Sequence, residues 1–276
     1  MSNLAIRTIF AFTAMPIVAF LMWFGDYTRF TFVFVLNAIA AYEWAKMVSA
    51  VYSGPAKFIS VLSPICTVAL TVPWLASDSA FYMLPILALV ILLYIAVAFA
   101  WVNVENLFPW LVLQLAAPIY IGLWGGMSIK LLETGHGWEK CSKFLVVMTT
   151  LWACDSAAYF AGKFLGKHKF SPQISPKKTW EGAIGGTLFA IFWFWLWTRS
   201  GYYTVFDVSF ATAAGISFAI ATTGQLGDLL ISALKRWSKI KDSGELFPGH
   251  GGVLDRADSF YLAAPIATIL LSYILT

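Results

Sequence analysis

The sequence predicts an all-α integral membrane protein with about nine transmembrane helices and a cytoplasmic N-terminus, from its composition, its long apolar runs and the placement of its basic residues. Of its residues 60% are hydrophobic and 12% charged, with a mean hydropathy of +0.77, whereas an ordinary soluble domain carries roughly 45–50% apolar and about 25% charged residues. No soluble fold of this length hides that much apolar surface. The apolar runs leave only short connections. Residues 1–276 therefore read as one polytopic membrane domain, with N-terminal helices over 1–140 and the motif-bearing helices and cytoplasmic loops over 141–276.

A spanning helix needs roughly 20 mainly apolar residues. Runs that meet this extend over Ile6–Phe24, Thr31–Val48, Phe58–Leu75, Phe81–Val102, Pro109–Leu132, Phe144–Leu165, Trp180–Trp197, Val208–Leu234 and Ser259–Leu275. The first, though preceded by Arg7, has no small-residue cleavage pattern and is followed by further spans, so it is read as a retained helix. Glycines and polar residues interrupt the fifth and eighth. No internal repeat links the two halves, which argues against a repeat-built transporter. Cys66, Cys141 and Cys154 lie far apart without disulfide or zinc spacing and read as small buried hydrophobes.

Orientation follows from Lys and Arg, which accumulate in cytoplasmic connections. With the N-terminus inside, that side holds Arg7, Lys46, Lys57, the basic groups at 163–178 and 235–241, and Arg256; the other side keeps Arg29, Lys130, Lys140, Lys143 and Arg199. Two large basic loops then face inward. With no targeting segment and short loops, a bacterial inner membrane is the expected location.

The first inward loop, Gly162–Gly182, contains Ser175-Pro176-Lys177-Lys178-Thr179 at the start of a helix. Basic loops attract anionic headgroups at about 1 kcal/mol per residue. Here the order says more, because a stiffened turn sets two ammonium groups and two hydroxyls beside a helix N-terminus, where free N–H groups favour phosphate. The second loop runs from Gly227-Asp228 through Ser232, Lys235-Arg236, Lys241-Asp242-Ser243-Gly244 and Pro248-Gly249-His250-Gly251-Gly252 to Asp255-Arg256 and Asp258. It supplies carboxylates for a hard cation, cations for phosphate oxygens and glycines that let backbone approach a ligand. Asp255 and Asp258, three apart, share a helical face, and carboxylates at a membrane edge are costly unless paired.

Asp155 falls near the middle of the sixth span, where an unpaired carboxylate costs a few kcal/mol or more, so it should face the protein interior and meet a cation or metal. Glu43 is either a second such residue or an interfacial one. The histidines assemble neither a catalytic triad nor a zinc site.

These loops resemble the phosphatidate cytidylyltransferase (CDP-diacylglycerol synthase) family. The resemblance rests on Ser232-Ala-Leu-Lys235-Arg236, Lys241-Asp242-Ser243-Gly244 and Pro248-Gly249-His250-Gly251-Gly252-Val-Leu-Asp255-Arg256-Ala-Asp258, with Ser175–Gly182 and Gly227-Asp228 also similar to family motifs. It covers about Asp155 to Ser259; the first five helices match only in hydropathy. Ile231 stands where many members have Glu, and Ala257 where a bulkier apolar residue is usual.

The resemblance implies a magnesium-dependent nucleotidyltransferase that makes CDP-diacylglycerol and pyrophosphate from CTP and membrane phosphatidate. It leaves a second, monovalent cation and a homodimer open, and no nucleic-acid partner is expected. Asp228, Asp255 and Asp258 are the expected metal ligands. Lys235, Arg236, His250 and Asp155 join Asp228 and Asp255 as catalytic residues, His250 either donating to phosphate or bracing the glycine loop. Ser175, Lys177, Lys178, Thr179, Ser232, Lys241, Gly251, Gly252 and Arg256 are expected to hold substrate phosphate. Two other readings compete: a CTP-dependent lipid kinase, with similar ligands but attack at the γ-phosphate, and a transporter of anionic lipid or nucleotide, which leaves the loop carboxylates unexplained.

Overall fold

A computed structural model of the chain describes residues 18, 20–52, 56–76, 79–132, 137–200, 208–247 and 251–273. The described residues are mainly helical: α1 (Asp26–Val51), α2 (Ala56–Thr71), α3 (Ser79–Trp101), α4 (Val104–Ala117), α5 (Ser142–Leu165), α6 (Trp180–Arg199), α7 (Phe210–Trp237) and α8 (Leu254–Tyr273). Among the described residues five helical stretches are long and apolar enough to cross a membrane: Asp26–Val51, Phe81–Trp101, Val104–Leu131, Ser142–Leu165 and Phe210–Trp237. This is an all-α membrane protein. The expected first span lies outside the described residues except at its end, where residues 20–24 are helical.

Two local features depart from the expected run of spans. The fifth begins at Val104 rather than Pro109, and from Pro118 to Gly125 it widens to π-helical geometry before a 3₁₀ turn at Met127–Leu131. Pro118 has no N–H to donate, so the α-helical ladder loses a bond there. The basic loop after α5 is not irregular: Lys169–Ser171 (β1) and Ser175–Thr179 (β2) form an antiparallel hairpin pairing Lys169 with Thr179 and Ser171 with Ser175.

The chain forms two compact units, one of residues 1–129 and 237–257, the other of residues 130–236 and 258–276. In the first, α1 to α4 pack around Leu62, Cys66, Leu70, Val90, Tyr94, Val97 and Trp110. The buried indoles find carbonyls: Trp44 Nε1 donates to Leu113 O at 2.8 Å and Trp74 Nε1 to Leu123 O at 3.0 Å. In the second, α5 and α6 pack through small residues. A Cβ on Gly186 would come 2.7 Å from Cys154 O and 2.8 Å from Ala158 Cβ, and one on Gly182 would come 2.7 Å from Ala158 O. Such small-residue seams let membrane helices approach backbone to backbone.

Gln225 on α7 ties the same helices together. Its Nε2 lies 3.1 Å from Ala183 O, 3.0 Å from Thr187 Oγ1 and 3.3 Å from Cys154 Sγ. All three cysteines are buried thiols outside any disulfide.

Candidate active site

In the second unit the hairpin is fixed to the helices that flank it. Thr179, buried, is the N-cap of α6, its Oγ1 accepting from Gly182 N at 3.1 Å. The Glu181 carboxylate accepts from His168 N at 3.2 Å and lies 2.6 Å from His168 Nδ1, while Trp180 N donates to His168 O at 2.9 Å. The Phe170 ring meets Trp180 edge-on, with centroids 4.4 Å apart. A Ser-Pro-Lys-Lys-Thr-Trp-Glu-Gly segment thus ends a strand, caps a helix and closes the hairpin base.

The hairpin is also pinned to α7 at two points, one on β2 and one in the turn that precedes it. Lys178 Nζ stands 2.6 Å from Asp228 Oδ2, and Arg236 Nε donates to Ile174 O at 3.3 Å. Four strand residues span about 13 Å and eight helical residues about 12 Å, so the strand runs alongside the last turns of α7 in register with them. Asp228, Ser232 and Arg236 share that face at four-residue intervals. Ser232 Oγ donates to Asp228 Oδ1 at 3.2 Å, which leaves both oxygens of Asp228 engaged.

Three further charges join this group. Asp258 on α8 lies within electrostatic reach of Asp228, Asp155 and Lys235, and Asp155 and Lys178 both act on the neighbouring Cys154. Lys235 is buried, Asp228 and Asp258 are half-buried, and Ser175 is half-buried beside exposed Lys177. Asp155 corrects its expectation in one respect. It is exposed rather than enclosed, although it does join a group that contains cations.

The first unit holds the rest of the motif. Asp255, buried at the start of α8, accepts at Oδ2 from Ser243 N (2.7 Å) and Gly252 N (3.0 Å), with Ser243 Oγ 3.0 Å away. Gly251 adopts φ +82°, a conformation that favours glycine, and a Cβ there would strike Asp255 Oδ2. A Cβ on Gly252 would strike the Glu43 carboxylate. These glycines, expected to admit a ligand, make room for the chain's own carboxylates. Lys241, Asp242 and Arg256 are exposed, and His250 lies outside the described residues with Pro248 and Gly249.

Glu43, left open between an interior and an interfacial role, is buried. It accepts from Ser243 Oγ at 2.8 Å, Val253 N at 3.0 Å and Leu254 N at 2.9 Å. Its partners lie some 200 residues along the chain, and no local pattern marks it apart from its charge within an apolar run.

Among the described residues no three His, Cys, Asp or Glu side chains are grouped so as to hold a metal ion. The oxygen donors present are carboxylates, which suit a hard cation such as magnesium. That ion needs only one or two carboxylates when water and substrate phosphates complete its shell. Chemically, carboxylates set against Lys178 and Lys235 can gather cation and phosphate; no side-chain nucleophile with a paired base is formed among the described residues.

Comparison with known proteins agrees with this chemistry. The chain matches a family model described as "Cytidylyltransferase family" over residues 5–274. It is 31% identical over 270 residues to a phosphatidate cytidylyltransferase of Staphylococcus aureus, covering 96% of this chain and 98% of that protein. Proteins of the same name from Bacillus subtilis and Haemophilus influenzae are 39% identical over 156 residues and 42% identical over 132. These stretches cover 56% of both chains for the first, and for the second 48% of this chain and 46% of the relative. A match that runs nearly end to end, on a chain whose charged residues gather as phosphate chemistry requires, means that this chain belongs to the cytidylyltransferase family.

Proposed function

We propose that this chain is a phosphatidate cytidylyltransferase, transferring the cytidylyl group of CTP to phosphatidate in the membrane to give CDP-diacylglycerol and pyrophosphate. The observation that carries this reading is the gathering of Asp155, Asp228 and Asp258 with Lys178 and Lys235, which brings together α5, the hairpin strand β2, α7 and the start of α8. Full-length relatives that bear this name supply the substrates.

An oxygen of the phosphatidate phosphate attacks the α-phosphorus of CTP, the bond from that phosphorus to the bridging oxygen breaks, and pyrophosphate leaves. The attacking phosphate is already ionised at neutral pH, so the chain needs no nucleophile of its own. Its work is to orient two anions and offset their repulsion. Lys177, Lys178 and Ser175 on the hairpin, with Ser232, Lys235 and Arg236 on α7, bind phosphate oxygens. Lys241, Arg256 and the backbone at Gly251 and Gly252 serve the same end on the other loop. Thr179 holds the hairpin to α6, and Asp155 orients the cationic groups around it. Magnesium, held by Asp228 and Asp258 with Asp255 assigned from the sequence motif, would neutralise charge on the nucleotide phosphates and the departing pyrophosphate.

The proposal includes nine spans, a cytoplasmic N-terminus, motif loops facing the cytoplasm and residence in a bacterial inner membrane. Labelled CTP tests the reaction. Label at the α-phosphate should enter lipid in the presence of magnesium; entry of γ-label would make the protein a lipid kinase, and entry of neither would make it a carrier. With Asp228→Asn or Asp255→Asn the transfer should fall by several orders of magnitude. Unchanged activity and magnesium dependence in both variants would remove them as ligands.

A further inference from the structure

Glu43 is unusual for its setting. It is a carboxylate on a long apolar helix, 4% exposed, and the donors it meets belong to the loop before α8. Burying a charge there is costly unless it is fully hydrogen-bonded. A local Ser or Asp at the helix start would satisfy the same N–H groups without that cost. Glu43 accepts from Leu254 N, the first N–H of α8, and from Val253 N just before it, the two residues that lead directly into Asp255.

Ser243 connects the two acids. Its hydroxyl lies 2.8 Å from Glu43 Oε2 and 3.0 Å from Asp255 Oδ2, and its N–H donates to Asp255 Oδ2 at 2.7 Å. One hydroxyl carries one proton, so the two carboxylates share a single donor through this serine. The backbone has been cleared for this arrangement. A Cβ on Gly244 would meet Glu43 Oε1 at 2.5 Å, and one on Gly252 would strike both Glu43 oxygens.

We infer that Glu43 is a positioning residue for the reaction proposed above: with Ser243 it forms a clamp that ties Ser243 to the backbone at 252–254 and aims the Asp255 carboxylate. The inference rests on the proposed cytidylyl transfer for its catalytic consequence, and on geometry alone for the clamp. Groups that orient a functional carboxylate through hydrogen bonds typically change metal affinity or activity 10- to 100-fold when removed.

The test uses the full-length protein in lipid nanodiscs, as wild type, Glu43→Gln and Ser243→Ala. Amide hydrogen exchange is followed at 243 and 252–254 without substrate. Transfer of α-label from CTP then gives kcat, the KM for phosphatidate and the magnesium concentration for half-maximal rate. A glutamine amide turns an N–H₂ toward a backbone or serine donor, so Glu43→Gln should speed exchange in the loop at least ten-fold. It should also change kcat or the magnesium midpoint 10- to 100-fold, with the phosphatidate KM within two-fold of wild type. Ser243→Ala should move the same quantities in the same direction by less.

Exchange and kinetics within two-fold of wild type in folded Glu43→Gln overturn the clamp. Faster exchange with unchanged kcat and magnesium midpoint overturns the positioning role. If Glu43→Gln does not fold, Ser243→Ala is judged by these same criteria. If wild type transfers no label, the reaction assignment and the positioning role fall together, while the exchange rates, which need no substrate, still decide the clamp.

Discussion

Replacing Lys178 with methionine removes the ammonium from the 2.6 Å pair with Asp228 while keeping most of the side chain's length. The two side chains are 29% and 25% exposed, which places the pair between exposed ion pairs, worth about 0–1 kcal/mol, and buried ones, whose rupture costs about 3–5 kcal/mol. A loss of about 2 kcal/mol follows, or roughly thirty-fold in an equilibrium or rate. The remaining surroundings sharpen the effect. Asp228 would keep the Ser232 hydroxyl but face Asp258 with one cation fewer. Lys178→Met should therefore lower both thermal stability and kcat/KM for transfer of α-label from CTP, whereas Lys169→Met, an exposed change on β1, should alter neither by more than two-fold. A cycle with Asp228→Asn separates the pair from any separate contact of Lys178 with substrate: if pairing dominates, the double variant is no less stable than the weaker single one. Lys178→Met with wild-type stability and turnover would refute the reasoning.

Gly186→Val should destabilise by about 1–3 kcal/mol through overpacking, because its Cβ meets the Cys154 carbonyl at 2.7 Å; Gly215→Ala, with nothing within 4 Å, should be neutral or slightly stabilising, and equal melting temperatures for the two would contradict the close seam between α5 and α6. For topology, cysteines placed at exposed Lys169 and Glu245 should react with a membrane-impermeant maleimide only from the cytoplasmic side, over a low background from the buried native thiols. Labelling of either from outside would reject the nine-span orientation.

Signals that are local in sequence were legible, and signals that depend on distant pairing were not. Apolar run length gave α1, α3, α5 and α7 to within a few residues, because a bilayer imposes a length that composition alone reports. Ser175 to Gly182 is recognisable as a helix start, and Thr179 does cap α6. The hairpin was missed, since Ser-Pro-Lys-Lys-Thr has neither the alternation nor the apolar content of a strand. Its support comes from Glu181 and from Arg236, which lies 62 residues from its partner Ile174. Glu43 shows the same limit more sharply: its charge was visible, yet its role depends on donors some 200 residues away.

The placement of the acids follows from the chemistry that the chain is proposed to perform. A reaction between two phosphates asks little of a side chain as a nucleophile and much of it as a fixed charge. Carboxylates left free at a membrane edge would repel the substrates and one another. Asp228 and Asp255 are each instead restrained by a donor from another element: Lys178 on a strand holds Asp228 on a helix, and Ser243, joined by the local Gly252 amide, holds one oxygen of Asp255. Lysine and serine restrain these acids differently. An ammonium cancels charge and can move to a phosphate when one arrives, whereas a hydroxyl and two amides fix direction and leave the charge in place. Asp228 is thus suited to exchange its partner during turnover, and Asp255 to keep its orientation throughout. This difference explains why loss of Lys178 should appear in both stability and rate, while loss of the Glu43 clamp should appear first in the order of the loop.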